Sequence, residues 1–275
     1  MYQIIKILNN NALLVQGTEK NTESILLGKG IGFGKKNGSL IKSRTDVKEY
    51  KLAGTTGRSV EIGTENGIEA VYLEAAARII DEARLVFHDE ISSDVLLPLA
   101  DHIAFSAKRE REHIFVSNPF IPDIKVLFGK EYAVALKSRD IIKELAGYEI
   151  TDDEAGFIAL HIHSGLSHEQ VSDTLKNTQL VDDSMQLVEA LADKQIDENS
   201  LTYSRLLSHL YYMIIRTKTG EKVNICLNEF MEKEYPKAIK IAEEVCKKMS
   251  ERLALELDEM EKGFLAVHIE RCLSD

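Results

Sequence analysis

The chain has 275 residues, with 34 basic and 45 acidic side chains, a formal net charge of −11 and three cysteines. The charge is uneven: residues 1–52 carry a net of +5 and the remainder −16, so any polyanion partner belongs to the head, and the body repels nucleic acid. Cys226, Cys246 and Cys272 are odd in number and show no C-x-x-C spacing, which argues against a disulfide framework or zinc site and for a reduced, cytoplasmic setting. No apolar run approaches the ~20 residues that span a bilayer, and the first residues lack a signal pattern. Neither metal nor cofactor is expected.

In chain order, YQIIKILNNNALLVQ reads as two β-rich runs around Asn9, Asn10 and Asn11, since asparagine tolerates the positive φ of tight turns. ESILLGKGIGFGKKNGSLI adds a third strand, a corner at Gly28, Gly30, Gly32 and Gly34, and a fourth short run. A sheet this small buries little surface alone, so the head is expected to pair with a second copy. Residues 52–67 are glycine-rich without periodicity and read as a linker. From residue 68 the period changes to that of amphipathic helices: Ile68, Val71, Ala75, Ile79, Ala83 and Val86 recur at three- and four-residue steps. Further helices are predicted over 94–111, 130–146, 153–166, 179–192, 201–217, 232–252 and 258–272, with a joint near 167–178.

The helical part repeats itself. GFIALHI at 156–162 returns as GFLAVHI at 263–269, and His102 lies 59 residues before His161 as His209 does before His268. Lys130-Glu131-Tyr132 reappears as Lys233-Glu234-Tyr235, giving three ordered landmarks for two tandem modules of ~100 residues. The predicted architecture is therefore multidomain: a small antiparallel β-sheet domain (1–55), a linker (56–66), and two all-α helical bundles (67–172 and 173–275).

A histidine closing an apolar helical stretch is commonly a hydrogen-bonded, half-buried structural residue. A metal role fits poorly: His161 and His163, two apart on a helix, point to nearly opposite faces, and His88-Asp89 lacks further ligands. A phosphate-acceptor role remains, because neutral imidazole is a good nucleophile near neutral pH and a phosphoryl group adds close to two charges at one point. Arg109 and Arg216, each seven residues after His102 and His209, and Arg271, three after His268, are candidate counter-charges.

KILNNN (6–11) with GKGIGFGKK (28–36) resembles the RNA-binding head of the BglG/LicT/SacY transcription antiterminators. LADHIAF (99–105), GFIALHI, SHLYY (208–212) and GFLAVHI resemble the two PTS regulation domains that follow it in that family, with the glucose-type branch the most similar. The resemblance implies a dimeric β head that binds a hairpin in a nascent leader mRNA and prevents a terminator from forming. It also implies that HPr and the B domain (EIIB) of a sugar permease phosphorylate regulatory histidines. Carried over by motif, the RNA-contacting residues are Lys6, Asn9, Asn10, Asn11, Gly28, Lys29, Gly30, Phe33, Lys35 and Lys36, and the phosphoacceptors are His102, His161, His209 and His268. Lys29 stands where relatives often carry arginine, and Ser208 precedes His209 where Asp101 precedes His102, so the two modules need not respond alike.

The head's own chemistry agrees: lysines neutralise phosphates, glycines admit a close backbone, asparagine amides read base edges, and Phe33 is placed to stack on an unpaired base. The alternative for Asn9–Asn11 is a plain turn, and for Phe33 a core position. A DNA-binding activator with the same modules is the competing class, but no helix-turn-helix is legible. An enzyme is not expected.

Overall fold

The computed structural model describes residues 1–18, 23–42, 47–51, 59–60, 68–88 and 91–274. Two compact units emerge, one of residues 1–118 with 130–171, the other of 119–129 with 172–275.

The first unit opens with an antiparallel five-stranded sheet built from β1 (Tyr2–Asn9), β2 (Ala12–Gly17), β3 (Glu23–Leu27), β4 (Leu40–Ile41) and β5 (Lys48–Lys51), in the order β4-β1-β2-β3-β5. β5, which pairs with β3, was not legible as a strand. Alternation along β1 is broken by irregularities between Ile4 and Lys6 and between Ile7 and Asn9. Ile4, Leu13, Val15, Leu26, Ile31 and Ile41 form the head's core, a small one. The predicted linker lies outside the described residues except for β6 (Ser59–Val60), which pairs with β7 (Ile68–Glu69). Ile68, expected in the first helix, is therefore a strand residue.

Helix α1 (Ala70–Phe87) follows, burying Leu73, Ala76, Ile80 and Ala83 while Val86 at its end is exposed. After a short 3-10 turn come α2 (Leu96–Arg111), α3 (Ile121–Leu127), α4 (Gly129–Ala146) and α5 (Asp152–Ser167). Thr151 caps α5 by accepting from the Glu154 backbone N–H at 3.3 Å, and Asp152, Asp153 and Glu154 fill a first turn that favours negative charge.

In the second unit α6 (Val171–Ala192) runs unbroken through most of the stretch read as a joint, so the helix expected from residue 179 begins at Val171. α7 (Leu201–Thr219), α8 (Asn228–Glu234), α9 (Pro236–Leu253) and α10 (Met260–Ser274) complete it. Ser200 caps α7, accepting from the Tyr203 N–H at 3.0 Å, and Gly220 ends it at φ 72°. Sequence order puts α3 in the first module, yet α3 packs on α7. Ile124 and Phe128 are buried, Phe128 stacks edge-on with Tyr211 at 5.4 Å, and the Tyr203 hydroxyl donates to Asp123 at 2.6 Å. Among the described residues, no helix is long and apolar enough to cross a membrane.

Candidate functional site

Two kinds of site can be built from the residues upward, a polar corner on the head and a histidine cluster in each helical module.

The corner is assembled by backbone hydrogen bonds between the β1–β2 turn and the glycine-rich loop. The Asn11 carbonyl accepts from the Gly28 N–H at 2.9 Å, its side-chain oxygen accepts from the Gly30 N–H at 2.6 Å, and the Asn10 carbonyl accepts from the Gly32 N–H at 2.9 Å. Gly30 holds φ +68°, and a Cβ on Gly32 would lie 2.4 Å from the Asn9 carbonyl oxygen, so the sequence needs glycine at both. The result is a rim on which Asn10, Lys29, Gly30, Phe33, Lys35 and Lys36 are all exposed. Phe33, at 75% exposure, is no core residue. An exposed ring among lysines is what stacking on an unpaired base requires.

Lys6 and Asn9 stand apart from this rim. Lys6 forms an ion pair with Glu74 of α1, and the buried Asn9 amide donates to the Ala77 carbonyl at 3.4 Å. The Asn9 side-chain oxygen accepts from the Asn11 N–H at 2.9 Å and so also shapes the turn.

In the first module α2 and α5 bring His102 and His161 together, ring centroids 5.1 Å apart. Glu154 lies beneath them. Arg109 donates to its Oε1 at 2.6 Å, and His102 Nε2 stands 3.0 Å from its Oε2, off the axis of a well-aligned hydrogen bond. Burial pushes the Glu154 carboxyl up, but the contacts from His102 and Arg109 more than offset this, and its pKa is lowered. Phe157 packs on the His102 ring at 5.8 Å. Burial, then the charge of His102, holds His161 well below the usual histidine range, so it is neutral. His163 turns away and meets Glu131 of α4 at 2.9 Å, as the two-residue helical spacing required.

The second module repeats the plan on α7 and α10. His209 and His268 lie 4.7 Å apart at their ring centroids, and Arg216 grips Glu261 with bonds of 2.7 and 2.9 Å. His209 Nε2 is 3.7 Å from Glu261. Burial, followed by the charges of His268 and Arg216, lowers His209 to about 3, and burial, then Arg271 and Arg205, lowers His268. Arg109 and Arg216 thus hold buried carboxylates rather than waiting free. Glu154 and Glu261 were missed by sequence reasoning. The signal was present, because each lies seven residues before the second histidine of its module.

A neutral imidazole is a nucleophile at physiological pH, and Arg109 and Arg216 are each engaged by the carboxylate beneath the histidines. Among the described residues no group of three or more His, Cys, Asp or Glu side chains is arranged to hold a metal ion.

Comparison with known proteins agrees with this layout. The CAT RNA binding domain matches residues 2–57, and the PRD domain matches twice, at 77–165 and 182–272. The glcA/glcB genes antiterminator of Staphylococcus carnosus is 32% identical over 98% of this chain and 94% of its own length. The ptsGHI operon antiterminator of Bacillus subtilis is 29% identical over 98% and 96%, and the beta-glucoside operon antiterminator of Dickeya chrysanthemi 28% over 99% and 97%. A crystal structure of a GlcT CAT-PRDI fragment is 30% identical, spanning 60% of this chain and 98% of its own, with a TM-score of 0.39. With an RNA-binding head of this type followed by two PRD modules, the chain belongs to the BglG-type family of transcription antiterminators.

Proposed function

We propose that this protein, acting in the cytoplasm as a homodimer, binds a hairpin in the nascent leader mRNA of a sugar phosphotransferase operon, a glucose-type one, and prevents the terminator hairpin from forming. The rim of Phe33, Lys29, Lys35 and Lys36 over the Asn10–Asn11 turn is its RNA contact. HPr and the B domain of the sugar permease are its phosphoryl donors, and His102, His161, His209 and His268 its acceptors. The observation that carries this reading is the duplicated pair of histidines in ring contact, each pair over an arginine-held carboxylate, in the same chain as the exposed glycine corner.

The histidine pairs explain the control. Two imidazoles in contact sit comfortably while neutral, and a phosphoryl group on either places close to two negative charges above a buried glutamate. The cluster then has to open or exchange partners, which gives each module two arrangements for phosphate to choose between. Single-round transcription on a leader template tests the proposal. The chain should raise readthrough on a template with an intact leader hairpin and have no effect when the hairpin's unpaired bases are replaced by paired ones. Equal readthrough on both templates contradicts it.

A further inference from the structure

The two histidine clusters share a plan but differ at the surface. In the second module His209 and His268 line an open cleft of about 420 Å³ with Ser204, Arg205, Tyr212 and Arg216. Arg216 is committed to Glu261. Arg205, one helical turn before His209 on α7, is exposed and makes no hydrogen bond or ion pair with a described residue. At the matching place in the first module, one turn before His102, stands the exposed Pro98. Arg271, three residues past His268, is matched by Ser164 three residues past His161, a hydroxyl that donates to the Glu169 carbonyl. The second cluster therefore opens to solvent beside an uncommitted guanidinium that the first lacks.

Resting on the reading of these histidines as phosphoacceptors, we propose that Arg205 is the positioning residue that holds an incoming phosphoryl group against His268, making the second module the more readily phosphorylated of the two. A guanidinium at a cleft mouth offers a planar fork of donors matched to phosphate oxygens, and it binds most strongly where water is partly excluded. His268 Nδ1 is buried and unpaired, which leaves Nε2 as the nitrogen that attacks. In the transfer the N–P bond of the donor breaks, its nitrogen keeping the bonding pair and taking up a proton from solvent, which is balanced when the phosphorylated His268 ring releases its Nδ1 proton. The Nε2 lone pair of His268 forms the new N–P bond. Arg205 gains and loses nothing; it offsets charge on the phosphoryl oxygens before, during and after transfer.

The test uses the full chain and phosphoramidate as donor, so that no protein docking enters, with site-resolved mass spectrometry following each histidine over time. Arg205→Gln should slow labelling of His268 by roughly tenfold or more, the scale of one charge-assisted contact. It should leave His102 and His161 at the wild-type rate, while Arg205→Lys retains most of the His268 rate. Pro98→Arg, which installs the cation in the first module at an exposed first-turn position, should speed labelling there. Wild-type labelling of His268 in Arg205→Gln overturns the proposal, as does an equal loss at all four histidines. Absence of label on all four in the wild-type chain removes the phosphoacceptor reading itself and the proposal with it.

Discussion

Arg216 and Glu261 form a two-bond ion pair with the glutamate only 2% exposed, and Arg109 and Glu154 occupy the same places in the preceding module. Each pair is the floor on which two histidines rest. Glu261→Gln keeps the shape and removes the charge, leaving Arg216 uncompensated. It should destabilise the second unit by about 2–3 kcal/mol, below the ~3–5 kcal/mol of a fully dry pair because Arg216 keeps 22% exposure. Urea unfolding of the variant measures this, and an unchanged midpoint and slope would show that the pair is merely tolerated.

Phe33→Ala should weaken leader-hairpin binding by about 1–3 kcal/mol, the range for a lost base–aromatic stack, with no loss of head stability because the ring is already exposed. Gly32→Ala should do the opposite kind of damage. Its Cβ would meet the Asn9 carbonyl at 2.4 Å, so the corner is displaced and thermal stability falls together with affinity. Gel-shift titration and circular dichroism on both variants separate the two effects.

Among the described residues, Lys6 is the one lysine of the predicted RNA set that forms an ion pair, with Glu74. Glu74→Gln should free it and strengthen RNA binding severalfold. It should also steepen the salt dependence by about one counterion, since a phosphate contact releases one. A salt titration of binding reads both. An unchanged slope would place Lys6 outside the RNA contact.

Asp123 is buried on α3, and burial raises its pKa to about 6 although the Tyr203 hydroxyl donates to it. A carboxyl whose folded pKa lies above its unfolded value binds its proton more tightly when folded. It therefore contributes stability at low pH that is lost as pH rises from about 4 through about 6. Asp123→Asn should remove that loss and raise stability at pH 7 relative to wild type by about 3 kcal/mol, with little difference at pH 4. His209 works the other way. Its folded pKa of about 3 lies below the ordinary 6.5, so its contribution is present above that value and lost as pH falls toward 3. Across pH 4 to 8, the unfolding midpoint relative to wild type should rise with pH for Asp123→Asn and fall with pH for His209→Gln.

What the sequence made legible follows from periodicity and repetition. Matched strings around His161 and His268 exposed the duplication, and three- and four-residue spacing located most helices within a few residues. Positive φ at Gly30 and the close approach at Gly32 explain why the corner could be read from glycines alone. The short elements were missed: α3 and α8 have seven residues each, too few to show a period, and β5 reads KEYK with no apolar alternation. The placement of α3 against α7 was invisible because it depends on the burial of Ile124 and Phe128 by residues some 80 positions away, as the separation of Asp123 from Tyr203 shows. Glu154 and Glu261 went unread for another reason. A glutamate in a first helical turn is ordinary, and only the arginine reaching it from another helix gives it a role.

The most direct test of the account is terminator readthrough from a leader–reporter fusion, comparing wild type with the His102→Ala/His161→Ala double variant, each with and without the transported sugar. The account predicts that wild type reads through only when sugar is present, the permease then giving its phosphoryl group to sugar. The double variant, with no acceptor left in the first module, should read through in both conditions. A double variant that remains fully dependent on sugar would contradict it.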